Sequence, residues 1–356
     1  MPERAQHGAD LPEEAQPRRL VRRAVETLVL LGVLVAVVAL APGLGEARKL
    51  LRDASPGWLA IGVLLEALSC WSYVLAFRPV FCARMSWRTA TEISWAELAM
   101  GSIVPASGAG GLALGAWILS RSGMPGRQIA RRSVAFFILK SGVNFVAVVV
   151  IGLLFALGVI GPGQPLWRTL LPALLALAVI AAVAAIGARD EPAAAEEGSE
   201  RLTRWWNATR RAIVGGVREA GALLRAHDVL LIMGVLGYWA FDNFVLWATY
   251  HAVGGGPPIS VILIGYLIGQ LGGALPIPGG VGGIDLGLVG TLIVYGAAAQ
   301  PTVAAVLAYR LILFWLPLLG GVPAFWSLRR WLNHPARPDL CIPAVPAAAA
   351  GAENRS

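Results

Sequence analysis

The chain has 356 residues, 57% of them hydrophobic and only 14% charged, with a mean hydropathy of +0.67. These values exclude an ordinary soluble globular protein and indicate a polytopic, all-α membrane protein. The net charge of +8 does not point to nucleic acid, because the basic residues lie between hydrophobic runs, as orientation by the positive-inside rule produces.

Residues 1–23 are polar and end in Arg18-Arg19-Leu-Val-Arg22-Arg23. They read as a flexible cytoplasmic N-terminus. Ala24 to Ala41 follows as an apolar run, too long for a signal peptide and read as a retained first helix. Trp58 to Phe77 is the second helix, with Glu66 near its centre. Ile93 to Leu119 is broken by Pro105-Ala-Ser-Gly108-Ala-Gly110-Gly111 into arms too short to cross an apolar core that needs about 20 residues. Ser133 to Ile160 and Leu166 to Gly187 are full crossings.

The hydrophilic loop 188–228 begins acidic and Ala-rich. From Arg201 to Asp228 it takes on helical periodicity: Leu202, Trp206, Ile213, Val217 and Leu224 share one face, while Arg204, Arg211, Arg218 and Arg225 recur every seven residues on the other. Such a helix lies along a membrane surface or caps the bundle from solvent. Val229 to Ala252 spans again, carrying Asp242 and Asn243, and Ile259 to Leu275 leads into Pro276-Ile-Pro278-Gly279-Gly280-Val-Gly282-Gly283-Ile-Asp285. Proline removes a backbone donor and glycine weakens a helix, so Pro276 to Gly283 interrupts a second segment. Backbone without helical bonds survives at membrane depth only where it is buried in protein or lines a wet cavity. Leu286 to Ala298 is short, Thr302 to Leu328 is a full crossing with Arg310 inside it, and 329–356 reads as a flexible cytoplasmic tail. The membrane domain is thus 24–328.

Charge placement selects a topology. With both broken segments as re-entrant hairpins, Arg48, Lys49, Arg52 and Arg168 fall outside and Lys140 and Arg310 within helices, leaving 23 of the 29 basic residues inside. Six full crossings and two hairpins result, with both termini cytoplasmic. The hairpins are related in sequence. Shifted by 172 residues, Gly108 to Gly115 overlays Gly280 to Gly287 with five identities in eight. Three crossings separate them, so they enter from opposite faces, the pattern of an inverted-topology repeat with its binding site near the midplane.

Glu66, Lys140, Asp242, Asp285 and Arg310 all fall at membrane depth, where an unpaired charge costs roughly 2.5–3.5 kcal/mol. Such groups face one another or a water-filled groove. Asp285 with Arg310 reads as a buried ion pair locking the second hairpin to the last helix, and Asp242 with Asn243 as interhelical hydrogen bonding. Glu66 is either a proton-coupling site or a partner of Lys140. Glu97 is placed near the interface, where its cost is small. Gly111/Gly115, Gly269/Gly273 and Gly283/Gly287 are spacings for close helix packing. Cys70, Cys82, Cys341 and the four histidines lack the spacing of a disulfide framework or a metal site, and phosphate-loop and nucleophile-elbow motifs are missing, so neither a cofactor nor a catalytic residue is expected.

The run Pro276 to Asp285, the following Tyr309-Arg310-Leu311, and Ile103 to Gly111 leading to Leu119-Ser-Arg121-Ser-Gly123 resemble the flippase-like membrane domain of lysylphosphatidylglycerol synthases and their stand-alone relatives. The similarity covers Trp58 to Trp326. The family usually has Glu where Asp285 stands, and often an Arg near Gly115 that is missing here. No aminoacyl-transferase segment follows the last helix, so lysyl transfer is not expected. The resemblance implies a non-enzymatic flippase in the cell (plasma) membrane that moves a phospholipid or polyprenyl-phosphate lipid between leaflets. Partners would be the lipid itself, further copies of the chain or a separate lipid-modifying enzyme, with no nucleic acid. A polyprenyl-dependent glycosyltransferase using Glu46 and Asp53, or a membrane scaffold, are the alternatives.

Overall fold

The computed structural model describes residues 44–103, 109–160, 165–190, 201–269 and 283–332, with isolated positions of the first apolar run. The expected first crossing lies largely outside the described residues, as do Pro105, Gly108, Pro276, Pro278, Gly279, Gly280 and Gly282. Among the described residues every element with defined bounds is helical. The eleven helices are α1 (Gly45–Arg52), α2 (Pro56–Phe81), α3 (Trp87–Ile103), α4 (Ala109–Arg121), α5 (Gly126–Ala156), α6 (Leu166–Ala188), α7 (Arg201–Arg225), α8 (Val229–Ala252), α9 (Ile259–Gly269), α10 (Gly283–Val294) and α11 (Ala299–Leu332).

Local sequence explains several of these boundaries. Pro56 opens α2 at a position where its missing N–H costs nothing. Asp228 caps α8, its carboxylate accepting from the amides of Leu230 at 2.9 Å and Leu231 at 3.1 Å. Gly296, at φ +97°, ends the turn between α10 and α11 in a conformation that other residues rarely adopt.

Five helices, α2, α5, α6, α8 and α11, are long and apolar enough to cross a membrane. In contrast, α4, α9 and α10 have 13, 11 and 12 residues, which at 1.5 Å per residue reach about 17–20 Å of a core about 30 Å thick. The 17 residues of α3 stand at the lower limit. Helix α1 lies in the stretch expected as a loop. Its Ala47 is fully buried and donates its amide to the Gln300 Oε1 at 3.2 Å, which seats α1 on the start of α11.

Two apolar cores sit at opposite ends of the long helices. One gathers the C-terminal end of α2, the N-terminal parts of α5 and α8, and Leu328 near the end of α11, around Ile93 and Met100 of α3 and Leu114 and Ile118 of α4. The other gathers the C-terminal parts of α5 and α8 and the N-terminal part of α11, around Ile262 and Ile264 of α9 and Leu288 and Leu292 of α10. Helices α2, α3, α4 and α5 begin at residues 56, 87, 109 and 126. Their counterparts α8, α9, α10 and α11 begin at 229, 259, 283 and 299, a near-constant offset of 172 to 174.

Glycines mark the closest crossings. Gly234 of α8 lies against the backbone of Ser72 and Ala76 of α2, and Gly62 of α2 faces Ala248 and Val245 of α8. Gly287 of α10 meets the Gly269 carbonyl of α9, so the close contact joins one glycine from each of two spacings read in the sequence. Helix α7 docks on the bundle through Val214, Gly215, Gly216 and Ala220. Trp206, Ile213 and Leu224 stay exposed beside that contact. The docking face is therefore rotated away from the apolar stripe read in the sequence, because small residues allow α7 to approach Arg131 and Val134 of α5. An Arg132–Glu219 ion pair of 3.2 Å fastens the contact.

Candidate functional site

The charges that the sequence places at membrane depth converge on one polar seam running between the two short-helix pairs. At its second-half end, Arg310 Nε of α11 donates to Asp285 Oδ1 of α10 at 2.7 Å, with both side chains buried. This is the ion pair read from the sequence, and it ties the short helix to the last spanning one. One residue earlier, the Tyr309 hydroxyl donates to Asp242 Oδ1 at 2.9 Å, while Tyr266 of α9 donates to the other oxygen. Asp242 therefore joins α8, α9 and α11, and Arg310 attracts it as well. Asn243 differs from its expected role: its amide donates to the Trp239 carbonyl of its own helix at 2.8 Å.

At the first-half end the structure corrects the sequence reading twice. Glu97 is 2% exposed and deep in the bundle, where an interfacial position was expected. Tyr73 of α2 donates to its Oε2 at 2.8 Å. Its other oxygen occupies the notch left by Gly115, where an added Cβ would lie only 1.5 Å away. The missing side chains at Gly111 and Gly115 are thus what lets a carboxylate fit between α3 and α4. The second correction concerns Lys140, whose charged neighbour is Glu97 rather than Glu66. Its ammonium stands 5.5 Å from the Tyr73 ring centre and 5.7 Å from that of Tyr238, within cation–π range. Among the described residues it has no carboxylate at ion-pair distance.

Between these ends lies Glu66, 5% exposed on α2. The Cys70 thiol approaches its Oε1 at 3.6 Å, and Asp242 faces it as a like charge. Tyr238 stands beside both carboxylates and under Lys140, linking the two halves. A cavity of about 430 Å³, lined by Trp167, Arg168, Leu171, Leu286 and Tyr295, lies apart from this seam and is walled mainly by apolar side chains.

The donors Tyr73, Tyr266 and Tyr309 and the ring of Tyr238 have no site role in the sequence reading, where only Tyr309 appears, as part of a motif. Tyr238 and Asp242 are four apart on one helix, a spacing that places them on one face, and this was the available signal. Of the hairpin glycines, Gly110 belongs to α4, but its surroundings and those of Gly283 are not among the described side chains. Replacing Gly115 by Ala is expected to expel Glu97 from its notch. The Tyr73–Glu97 hydrogen bond would be lost with a destabilisation of about 1–3 kcal/mol, read by detergent-unfolding midpoints against Gly115→Ser.

Comparison with known proteins follows the whole bundle. The family described as the lysylphosphatidylglycerol synthase TM region matches residues 27–321. The chain is 26% identical over 345 residues to a UPF0104 membrane protein of Methanothermobacter thermautotrophicus, covering 88% of this chain and 96% of that protein. A second UPF0104 membrane protein of the same organism is 26% identical over 325 residues, covering 83% and 93% respectively.

Proposed function

Because the chain belongs to the lysylphosphatidylglycerol synthase transmembrane family, a multi-pass membrane family, we propose that it moves a phospholipid or lipid-linked precursor between leaflets. The observation that carries this reading is the continuous seam of Glu97, Lys140, Tyr238, Glu66, Asp242, Arg310 and Asp285 through an otherwise apolar bundle. Polar side chains at membrane depth mark solute pathways. A head group following the seam would stay solvated while its acyl chains remained in lipid.

The α3–α4 and α9–α10 pairs are re-entrant hairpins in this proposal, and the chain is an inverted repeat. Three facts support the arrangement. Helices α4, α9 and α10 are too short to cross, the two cores sit at opposite ends of the spanning helices, and element starts recur at a near-constant offset. Position-by-position contacts follow the same offset. Glu97 against Gly115 in the first half corresponds to Gly269 against Gly287 in the second, and Gly62 against Ala248 corresponds to Gly234 against Ala76. Reciprocal contacts of this kind are what a pseudo-twofold axis between two halves produces.

In the plasma membrane, with both termini cytoplasmic, α7 would lie along the inner surface. Its exposed Trp206, Ile213 and Leu224 would enter the lipid interface while its arginines meet anionic head groups. The role is non-catalytic, and it requires only that a head group be bound and released on both sides.

Within the seam, Lys140 is the favoured phosphate contact. Arg310 already shares its charge with Asp285 and Asp242, whereas Lys140 offers its ammonium beyond two tyrosine faces. Lys140→Met is expected to slow transfer of an anionic labelled phospholipid across reconstituted vesicles by roughly ten- to a hundredfold, the value of one lost charged hydrogen bond. Lys140→Arg is expected to retain most activity. Wild-type vesicles that move no lipid faster than protein-free ones would overturn the reading.

A further inference from the structure

We propose that Glu66 is a proton-binding site that couples lipid movement to a proton gradient; the binding half stands on geometry alone, and the coupling half rests on the translocation reading. The described membrane-depth charges comprise four carboxyls, Glu66, Glu97, Asp242 and Asp285, against two cations, Lys140 and Arg310. Three of those carboxyls have a tyrosine hydroxyl or a cation beside them, although Glu97 Oε1 also lacks a hydrogen-bond partner among the described residues. Asp285 holds Arg310, Asp242 takes two tyrosine hydroxyls and the attraction of Arg310, and Glu97 takes Tyr73 and the attraction of Lys140.

Glu66 has none of these. Its Oε2 is buried with no hydrogen-bond partner among the described residues, and its Oε1 meets only a thiol, a weak donor. The helices packed on α2 are α3, α5, α8 and α11. Their charged and titratable groups in this region are Glu97 on α3, Lys140 on α5, Tyr238 and Asp242 on α8, and Tyr309 and Arg310 on α11. The one charge shown acting directly on Glu66 is the carboxyl of Asp242, which repels. A proton on Oε2 removes both the uncompensated buried charge and that repulsion.

Position adds a second argument. At the 172-residue offset Glu66 and Cys70 coincide with Tyr238 and Asp242. Glu66 therefore stands at the junction of the two halves, where a change of charge is felt by both. In the loading step a hydronium on one side gives up a proton and becomes water as the O–H bond forms at Oε2. In the release step that bond breaks, the electron pair stays on the carboxylate, and a water on the other side takes the proton. Tyr238, between Lys140 and the two carboxyls, is placed to pass the proton along the seam.

The test has two arms. In the first, wild-type protein in lipid nanodiscs is treated with dicyclohexylcarbodiimide. A protonated carboxyl in apolar surroundings gives its proton to a carbodiimide nitrogen while its oxygen bonds the central carbon, and the adduct rearranges to a stable acylurea. Peptide mass spectrometry is expected to place the adduct on Glu66, and infrared spectra are expected to lose a protonated-carboxyl carbonyl band in Glu66→Gln. Adducts confined to other carboxyls, or an unchanged band in a variant that elutes as wild type, would overturn the site.

In the second arm, lipid transfer is followed in vesicles under an imposed potential of about 100 mV, which biases a one-proton step by roughly fiftyfold. With a zwitterionic labelled phospholipid, which has no net charge of its own to feel the potential, wild type and Glu66→Asp are expected to respond, and Glu66→Gln to lose the dependence on potential whatever its residual rate. A wild type that transfers lipid without response would overturn the coupling. Absence of transfer in every vesicle would instead overturn the translocation reading, with the first arm still deciding the proton site.

Discussion

Arg310→Ala is expected to destabilise the protein by about 3–5 kcal/mol and to abolish transport, because it leaves Asp285 as an uncompensated charge inside the bundle. The 2.7 Å contact is nearly closed to solvent, so screening does little to soften the loss. The pair also fixes geometry beyond itself. Tyr309, adjacent in sequence, holds Asp242, so a displaced α11 would loosen the bond joining α8 and α9 to α11. Asp285→Asn is expected to cost less, since an amide oxygen can still accept from the guanidinium.

The double change Arg310→Met with Asp285→Leu separates structure from function. Replacing a buried pair by apolar residues of similar volume is often neutral or stabilising, so the double variant is expected to recover most of the stability lost in Arg310→Ala. Unfolding by sodium dodecyl sulfate in mixed micelles, with lipid transfer measured on the same preparations, checks both. Recovered stability without recovered transport assigns the pair to head-group handling. Recovery of both reduces it to a structural lock.

Gly234→Leu is expected to have the next largest effect. A Cβ at Gly234 would lie 2.4 Å from the Ala76 amide nitrogen and 2.8 Å from the Ser72 carbonyl oxygen. Those are backbone atoms of α2 and cannot turn aside, so α2 and α8 must separate. Overpacking of a filled interface costs about 1–3 kcal/mol even for a small addition, and leucine exceeds that. Gly62 is the control at the equivalent position: an added Cβ there meets the Ile312 Cδ1 at 3.1 Å, a side-chain tip that can move. Gly62→Ala is therefore expected to be tolerated and Gly234→Ala to be damaging, in the same unfolding measurement. Because α2 carries Glu66 and α8 carries Asp242, splaying these helices would also open the centre of the seam.

The spanning helices were legible because the constraint behind them is local. A crossing needs about 20 apolar residues in succession, and Val229 to Ala252 can be read off by that rule to the residue. The described helices end at Ile103 and Gly269 and begin again at Ala109 and Gly283, on either side of the proline- and glycine-rich stretches, whose effect on a helix is equally local. The Asp285–Arg310 pairing was also foreseeable: a charge at membrane depth must find an opposite one, and the 24 residues between them hold no other charge.

What the chain by itself determined is thus where the long apolar runs lie and that the charges within them must find partners, both set by the price of polarity in lipid. Which charge meets which was decided only by tertiary structure. Glu97 lies buried against Tyr73 because Gly111 and Gly115 leave a notch on a different helix, and Asp242 is satisfied by tyrosines 24 and 67 residues away. Such pairings depend on helix rotation and crossing, which small residues and interlocking side chains set jointly across several elements, and no single stretch of sequence encodes them.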